Sequence, residues 1–396
     1  MSFLRKTISF SLFLFMMAAL YGLLMRYYNA FGIPGFNYFN FLQAHSHVAF
    51  LGWGFIAAST LHLKMLDKDC STRRGIIYAI WVMLLSMAAI LITFPLYGYK
   101  GLSVVFLSLF VLASYVYSFC FLRCARGIGS LPFKFVRFSI ILYLISTIAI
   151  WALAPIIILI GKNTSIYFDD IYFFLHFLYN GFFVFALSGI LFHHFRFPED
   201  FVWKFFYLNA IAVFPAYLLS LLWEPMPLWV YGGGFLAALL QVVALWWLFR
   251  GIVPATAHLN FSDRLIVMSG VVSYGLKVII QLFSSFPPVV SAAVHLRPYL
   301  VVGYLHLITL GYISVLLLYF LMREGFVGGL LFSRGFWTFF YSAALKVALL
   351  IVYGIILWWT GLRFIYIHEV LFFITVFLYA GVLLMWISTL YSKGEV

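Results

Sequence analysis

The chain has 396 residues, of which 66% are hydrophobic, 21% aromatic and only 9% charged, with a mean hydropathy of +1.10. A soluble domain carries roughly 25% charged residues and about half apolar ones. The composition therefore excludes disordered, collagenous and nucleic-acid-binding chains and ordinary soluble enzymes, and the 24 Lys and Arg against 11 Asp and Glu need another explanation than a nucleic-acid partner.

Apolar runs of about 20 residues, the length that crosses hydrocarbon, are predicted near 7–26, 40–63, 75–96, 101–122, 137–160, 170–193, 201–222, 228–249, 264–285, 299–322, 336–358 and 367–391. This predicts an all-α polytopic membrane protein, a single integral membrane domain over 1–396 with no soluble domain. Any chemistry must then lie among the spans. Seventeen of the 24 Lys and Arg fall on one side of this layout, five on the other, and Lys277 and Lys346 within spans. By the positive-inside rule both termini are expected in the cytoplasm.

In chain order, the first span follows Arg5-Lys6 and lacks a small-residue cleavage site, so it is expected to remain as an uncleaved span. Arg26 closes it on the outer side. The second span carries His45 and His47, and His62 at its wet inner edge. Cys70, Cys120 and Cys124 fall on the cytoplasmic side, where thiols stay reduced, and are expected to be packing residues. Asp169-Asp170 are expected to cap the sixth span, which carries His176 and Tyr179 and ends at His193-His194. Gly232-Gly233-Gly234 in the eighth span suit close helix packing. Lys277, in the ninth, is expected to snorkel to the interface. The tenth span carries His306, with Arg297 at its outer end. Lys346 lies near the midplane of the eleventh, too deep to snorkel fully, and is expected to face the interior. His368-Glu369 open the twelfth span just after Arg363, as a second-shell pair, a proton path or a plain acidic first turn. His258 and His295 fall in loops and are expected to be solvated.

Histidine is expensive in hydrocarbon, so each intramembrane imidazole is a functional candidate. Three segments read HSHVAFLGWGF (45–55), FLHFLYNGFFVF (174–185) and YLHLITLGYISV (304–315). Aligned on His47, His176 and His306, each has glycine five residues on, at Gly52, Gly181 and Gly311, with spacings of 129 and 130 residues. Recurrence at a third of the chain predicts three four-helix repeats, near 1–66, 67–196 and 197–325, with 326–396 completing the first arc. All three histidines are expected roughly 10 Å below the outer surface, at about 1.5 Å per residue. Residues two apart on a helix point about 200° from each other, so His45 and His47 serve two different sites. Imidazole suits iron, copper and zinc, and haem iron commonly takes histidine.

The HSHVAFLGWGF segment resembles the tenth-helix motif of the catalytic subunit in the haem–copper oxidase superfamily, particularly its cytochrome cbb and nitric oxide reductase branches. The architecture is also similar to the NnrS family, and to a group of bacterial membrane proteins sharing the HSHVAFLGW, YFFLHFLYNG and LHLITLG segments. The resemblance implies twelve helices in three arcs, a bacterial inner membrane and one or two haems. With the motif permuted by four helices, His47 and His176 would hold one haem, His45 would face a second, and His306 would take a copper-ligand place. Unpermuted, His47 pairs with His306. The adjacent histidine pair that the oxidases supply to copper has no counterpart in the eleventh span, which offers Lys346 and Tyr341, and Tyr179 matches the oxidase tyrosine only loosely. Arg297 and Arg363 are placed to meet haem propionates.

The expectation is a haem-binding protein, with copper as a further ligand, for electron transfer or for handling nitric oxide or oxygen. Its partners would be that gas, a quinol or other redox partner, and membrane lipid. The rival reading is a proton-coupled secondary transporter with a His/Lys intramembrane site; the His-bearing spans read as continuous, whereas transporters break helices at midplane.

Overall fold

A backbone crossing hydrocarbon must satisfy its N–H and C=O groups within its own segment, and a helix does so without help from other strands of chain. The computed structural model, which describes residues 2–66 and 70–391, is helical accordingly, with no strand among the described residues. The chain is an all-helical polytopic membrane protein. Its spans are α1 (Ser2–Phe31), α2 (Tyr38–Met65), α3 (Arg73–Tyr97), α4 (Leu102–Cys124), α5 (Leu131–Leu159), α6 (Ser165–His194), α7 (Glu199–Ala212), α8 (Leu228–Ala255), α9 (Phe261–Phe283), α10 (Leu300–Arg323), α11 (Gly329–Thr360) and α12 (Ile367–Tyr391). Eleven are long and apolar enough to cross a membrane alone; α7 reaches that length only with the 3₁₀ segment Pro215–Leu221, from which it is bent by 49°. A short helix, Pro287–His295, occupies a stretch expected to be loop. Lys68 and Lys393, two of the inner-side cations, lie outside the described residues.

The chain divides into two compact units, residues 1–126 with 317–396, and residues 127–316. In the first, α12 packs on α1 through Ser9 and Thr389, whose hydroxyls are 2.7 Å apart, and through Phe13 and Trp386. The α11–α12 contact is nearly backbone to backbone: a Cβ on Gly335 would sit 2.7 Å from the Gly381 carbonyl oxygen, so only glycine fits. In the second unit, Gly233 and Gly234 of α8 meet Leu218 and Leu219 of the 3₁₀ segment, the close packing expected of the glycine run. The Tyr274 hydroxyl of α9 donates to Asn209 Oδ1 of α7 at 3.0 Å.

Burial singles out three helices. In α2, α6 and α10, 78%, 83% and 72% of the most apolar stretch is buried, against 33–56% in the other eight single-helix spans. Those three carry the intramembrane histidines.

Candidate functional site

Each histidine helix contains one π-helical segment of eight residues: Val48–Phe55 in α2, His176–Phe183 in α6 and Leu307–Ser314 in α10. A π turn widens the helix and weakens its packing, so it is rare and concentrates at functional sites. Here it starts at the key histidine or one residue after it each time, and Gly52, Gly181 and Gly311 fall inside it. Those glycines let the widened helix press on the preceding span. A Cβ there would meet Leu14 Cδ1 at 3.1 Å, Leu142 Cβ at 3.0 Å and Ser273 Oγ at 2.8 Å. The three contacted residues lie 38, 39 and 38 positions before their glycines. The recurrence read from sequence thus extends to local backbone and to the helix pair it packs. Counted from their helix starts, His47, His176 and His306 sit nine, eleven and six residues in.

In the first unit, His47 and His45 turn to different neighbours. His47 Nδ1–H donates to the Gln43 carbonyl one turn back at 2.8 Å, and Nε2 accepts from the Tyr99 hydroxyl at 2.9 Å. Its ring stacks on Phe94 with centroids 4.8 Å apart. Phe94 and Tyr99 come together because the chain reverses between them at Gly98, whose φ of 60° a side chain would resist. His45 Nδ1–H donates to the Ala18 carbonyl of α1 at 2.8 Å, and its ring lies against Gly22, where a Cβ would touch Cε1 at 3.2 Å. A carbonyl can only accept, so the proton sits on Nδ1 in both rings and Nε2 presents its lone pair. The opposed directions agree with the helical geometry of an H-x-H pair.

In the second unit, His306 repeats this arrangement, Nδ1–H donating to the Val302 carbonyl at 2.7 Å. His194 and His295 make the same bond near helix ends; a π turn beneath the ring sets 47 and 306 apart. His176 is different. It is fully buried, its Nε2–H donates to the Val213 carbonyl at 2.7 Å, and its Nδ1 lies 3.2 Å from the Asn180 amide nitrogen and 3.4 Å from Ser220 Oγ. Pro215 and the 3₁₀ geometry after it explain the acceptor: Tyr217 N–H bonds Phe214 rather than Val213, leaving the Val213 carbonyl for the imidazole. To ligate a metal, His176 would first have to surrender both bonds.

Several expectations are corrected. Lys277 does not snorkel: it is 2% exposed, its ammonium 5.5 Å from the Tyr274 ring centre. Arg26 does not close the first span, because α1 runs five residues past it, and it is 9% exposed. The sixth helix starts at Ser165, so Thr164 caps it, while Asp169 accepts from Trp223 Nε1 at 3.0 Å. His62 is fully buried beside Phe121 rather than wet. Cys70 and Cys124 are joined as a disulfide, and only Cys120 is a buried packing thiol. Pro215 breaks a span that read as continuous, one not itself a histidine span.

Lys346 is 3% exposed and faces the interior. Arg297 donates to the Tyr172 hydroxyl at 3.1 Å, Arg363 is exposed, and His368 and Glu369 lie in the first turn of α12. Tyr179 sits within the π segment of α6, half-buried. Among the described residues no three His, Cys, Asp or Glu side chains converge as a metal site. Asn180, four residues after His176 on an apolar span, and Tyr99, in a loop, escape the sequence reading; the i, i+4 polar pair was the available signal for the first. No protein-family model matches the chain, and no curated protein is significantly similar to it.

Proposed function

We propose that the chain is a haem-binding integral membrane protein of haem–copper oxidase-like or NnrS-like kind, serving electron transfer or the handling of nitric oxide or oxygen. The observation that carries this reading is the state of His45, His47 and His306. Each has Nδ1–H anchored on a backbone carbonyl, which fixes the ring with Nε2 on its far side, the arrangement of metal-ligating imidazoles; at His47 a ligand would take the place of the Tyr99 hydroxyl. A planar aromatic environment, Phe94 against His47, also suits a porphyrin. Bound haem would supply an iron centre for electron transfer, or for gas binding where one axial position stays open. The chain's own part is to hold the imidazoles, exclude water through the apolar surroundings in which each histidine helix is buried, and offer Arg297 and Arg363 to acidic groups. Copper is a further ligand on the same reading. The basic asymmetry of the sequence supports both termini in the cytoplasm, and the resemblance supports a bacterial inner membrane. Acid extraction of the detergent-purified chain tests the cofactor: haem near one or two per chain is expected, and a haem-free protein from haem-replete cells would refute it.

The second reading, a proton-coupled transporter, draws on the 49° break after α7 and on Lys277, whose charge acts on His176. Broken helices beside buried ionisable groups are how transporters build sites. Proton uptake into proteoliposomes that Lys277→Met abolishes would favour it over the first.

A further inference from the structure

A cation at the end of a membrane span needs water, an acid or an aromatic face around it. At the N-terminal ends of α5 and α7 and the C-terminal end of α8, three cations are drawn onto aromatic rings. Lys134 stands 3.9 Å over the Trp203 ring, and Lys204 3.9 Å over that of Trp247. Arg250 lies 5.7 Å from the Phe201 ring, 5.9 Å from Trp246 and 6.0 Å from Trp247, the outer limit of useful cation–π attraction. The Trp247 indole, packed on Phe201 with centroids 5.0 Å apart, thus gathers two cations from two helices. Asp200 answers only Lys204, at 3.1 Å. Even with Glu199, the other acid of that turn, the cluster keeps a surplus positive charge. Arg250 is exposed and has neither a hydrogen bond nor an ion pair among the described residues.

We propose that Arg250 and Lys204 bind the phosphate of an anionic phospholipid at this boundary. Arg250 caps a stripe on α8. Leu236, Leu239, Val243 and Trp246 precede it at intervals of three and four residues, which is one helical face, and all four are exposed. From Leu239 to Arg250 is eleven residues, about 16 Å at 1.5 Å per residue, or half of a hydrocarbon core of about 30 Å. A headgroup seated at Arg250 therefore lays an acyl chain along the stripe as far as the midplane. The guanidinium takes two phosphate oxygens in a fork, and the ammonium adds a point charge. Trp246 and Trp247 mark the level of the headgroups, where indoles concentrate. A soluble phosphate would use the cations and leave the stripe bare, whereas a zwitterionic lipid would cover the stripe and bring its own cation against Arg250. An anionic lipid answers both. The inference does not depend on what the histidines hold.

The full-length chain in detergent is titrated with dioleoyl phosphatidylglycerol or dioleoyl phosphatidylcholine, following Tm by circular dichroism. Phosphatidylglycerol is expected to raise Tm saturably and phosphatidylcholine to leave it nearly unchanged. Arg250→Gln should weaken the apparent affinity for phosphatidylglycerol about fivefold, and Arg250→Lys, which keeps the charge and loses the fork, by less. Since the Arg250 side chain makes no hydrogen bond within the chain, Arg250→Gln is expected to match wild type in Tm before lipid is added. Arg334→Gln, which removes an exposed cation from the second turn of α11, should leave the affinity unchanged. The proposal is overturned if the two lipids act alike, or if Arg250→Gln and Arg334→Gln weaken binding equally, which is the mark of diffuse surface charge. It is overturned too if glycerol phosphate, the headgroup without its chains, raises Tm as much as the lipid.

Discussion

The four intramembrane histidines divide by what holds their nitrogens. His45, His47 and His306 donate Nδ1–H to a backbone carbonyl, with Nε2 of His47 also accepting from Tyr99, whereas His176 donates Nε2–H to Val213 and turns Nδ1 to Asn180 and Ser220. Truncating His176 orphans a buried carbonyl and a buried amide, each costing about 1–3 kcal/mol. The His306 bond to the Val302 carbonyl lies within its own helix. In denaturant titrations of the haem-free chain, His176→Ala is therefore expected to lose about 3 kcal/mol and His306→Ala about 1 kcal/mol. Equal losses would mean that the bonds to Val213 and Asn180 do not hold the second unit. The sequence shows that these positions bear imidazoles in hydrocarbon, because apolar spans make a polar residue conspicuous. It cannot show which nitrogen is spent, since Val213 lies 37 residues from His176 and its carbonyl is released only by the bend before Pro215. The same limit hides the burial of His62, which Phe121, 59 residues on, covers.

At the scale of elements, the spans are legible because twelve runs of apolar residues are longer than any soluble core would need. Their ends are not, since helices such as α1 and α11 continue past the apolar run with aromatic residues that tolerate either phase. The π segments leave no trace in hydrophobic periodicity, because α2, α6 and α10 are apolar nearly all round; only the His-to-Gly spacing marks them. Their glycines differ in what they touch. Gly181 faces Leu142 Cβ, fixed to the backbone, whereas Gly52 faces Leu14 Cδ1, which can rotate away. Gly181→Ala should destabilise more than Gly52→Ala, by about 1–3 kcal/mol against less than about 1, read as the larger fall in Tm on thermal scanning in detergent. The reverse order would show that the π segments, rather than their neighbours, yield. Pro215→Ala should let Tyr217 N–H reclaim the Val213 carbonyl and straighten α7. Faster amide exchange around His176 and Asn180 is the expected signature, and unchanged exchange would mean that the bend has another cause.

For the whole molecule, the ends of the chain share a unit: α11 and α12 pack with α1 to α4, while α5 to α9 belong to the other with much of α10. The sequence reading places 326–396 in the first arc on helix count alone. What joins that C-terminal pair is glycine, and a Cβ on Gly381 would stand 2.5 Å from the Phe339 nitrogen. Backbone cannot step aside as a side chain can, so Gly381→Ala is expected to cost about 3 kcal/mol or prevent accumulation, visible in size-exclusion yield; wild-type yield and Tm would mean the two helices are not in such contact. The Cys70–Cys124 link escapes sequence reasoning because the partners are 54 residues apart with no paired motif. Function turns on whether these buried imidazoles hold a cofactor. The most direct measurement is the visible absorption spectrum of the detergent-purified wild type beside His47→Ala and His295→Ala, the latter altering an exposed ring that makes the same backbone bond. A Soret band that is lost or shifted in His47→Ala and unchanged in His295→Ala is the predicted result. Identical spectra for all three proteins, or no band in any of them, would contradict it.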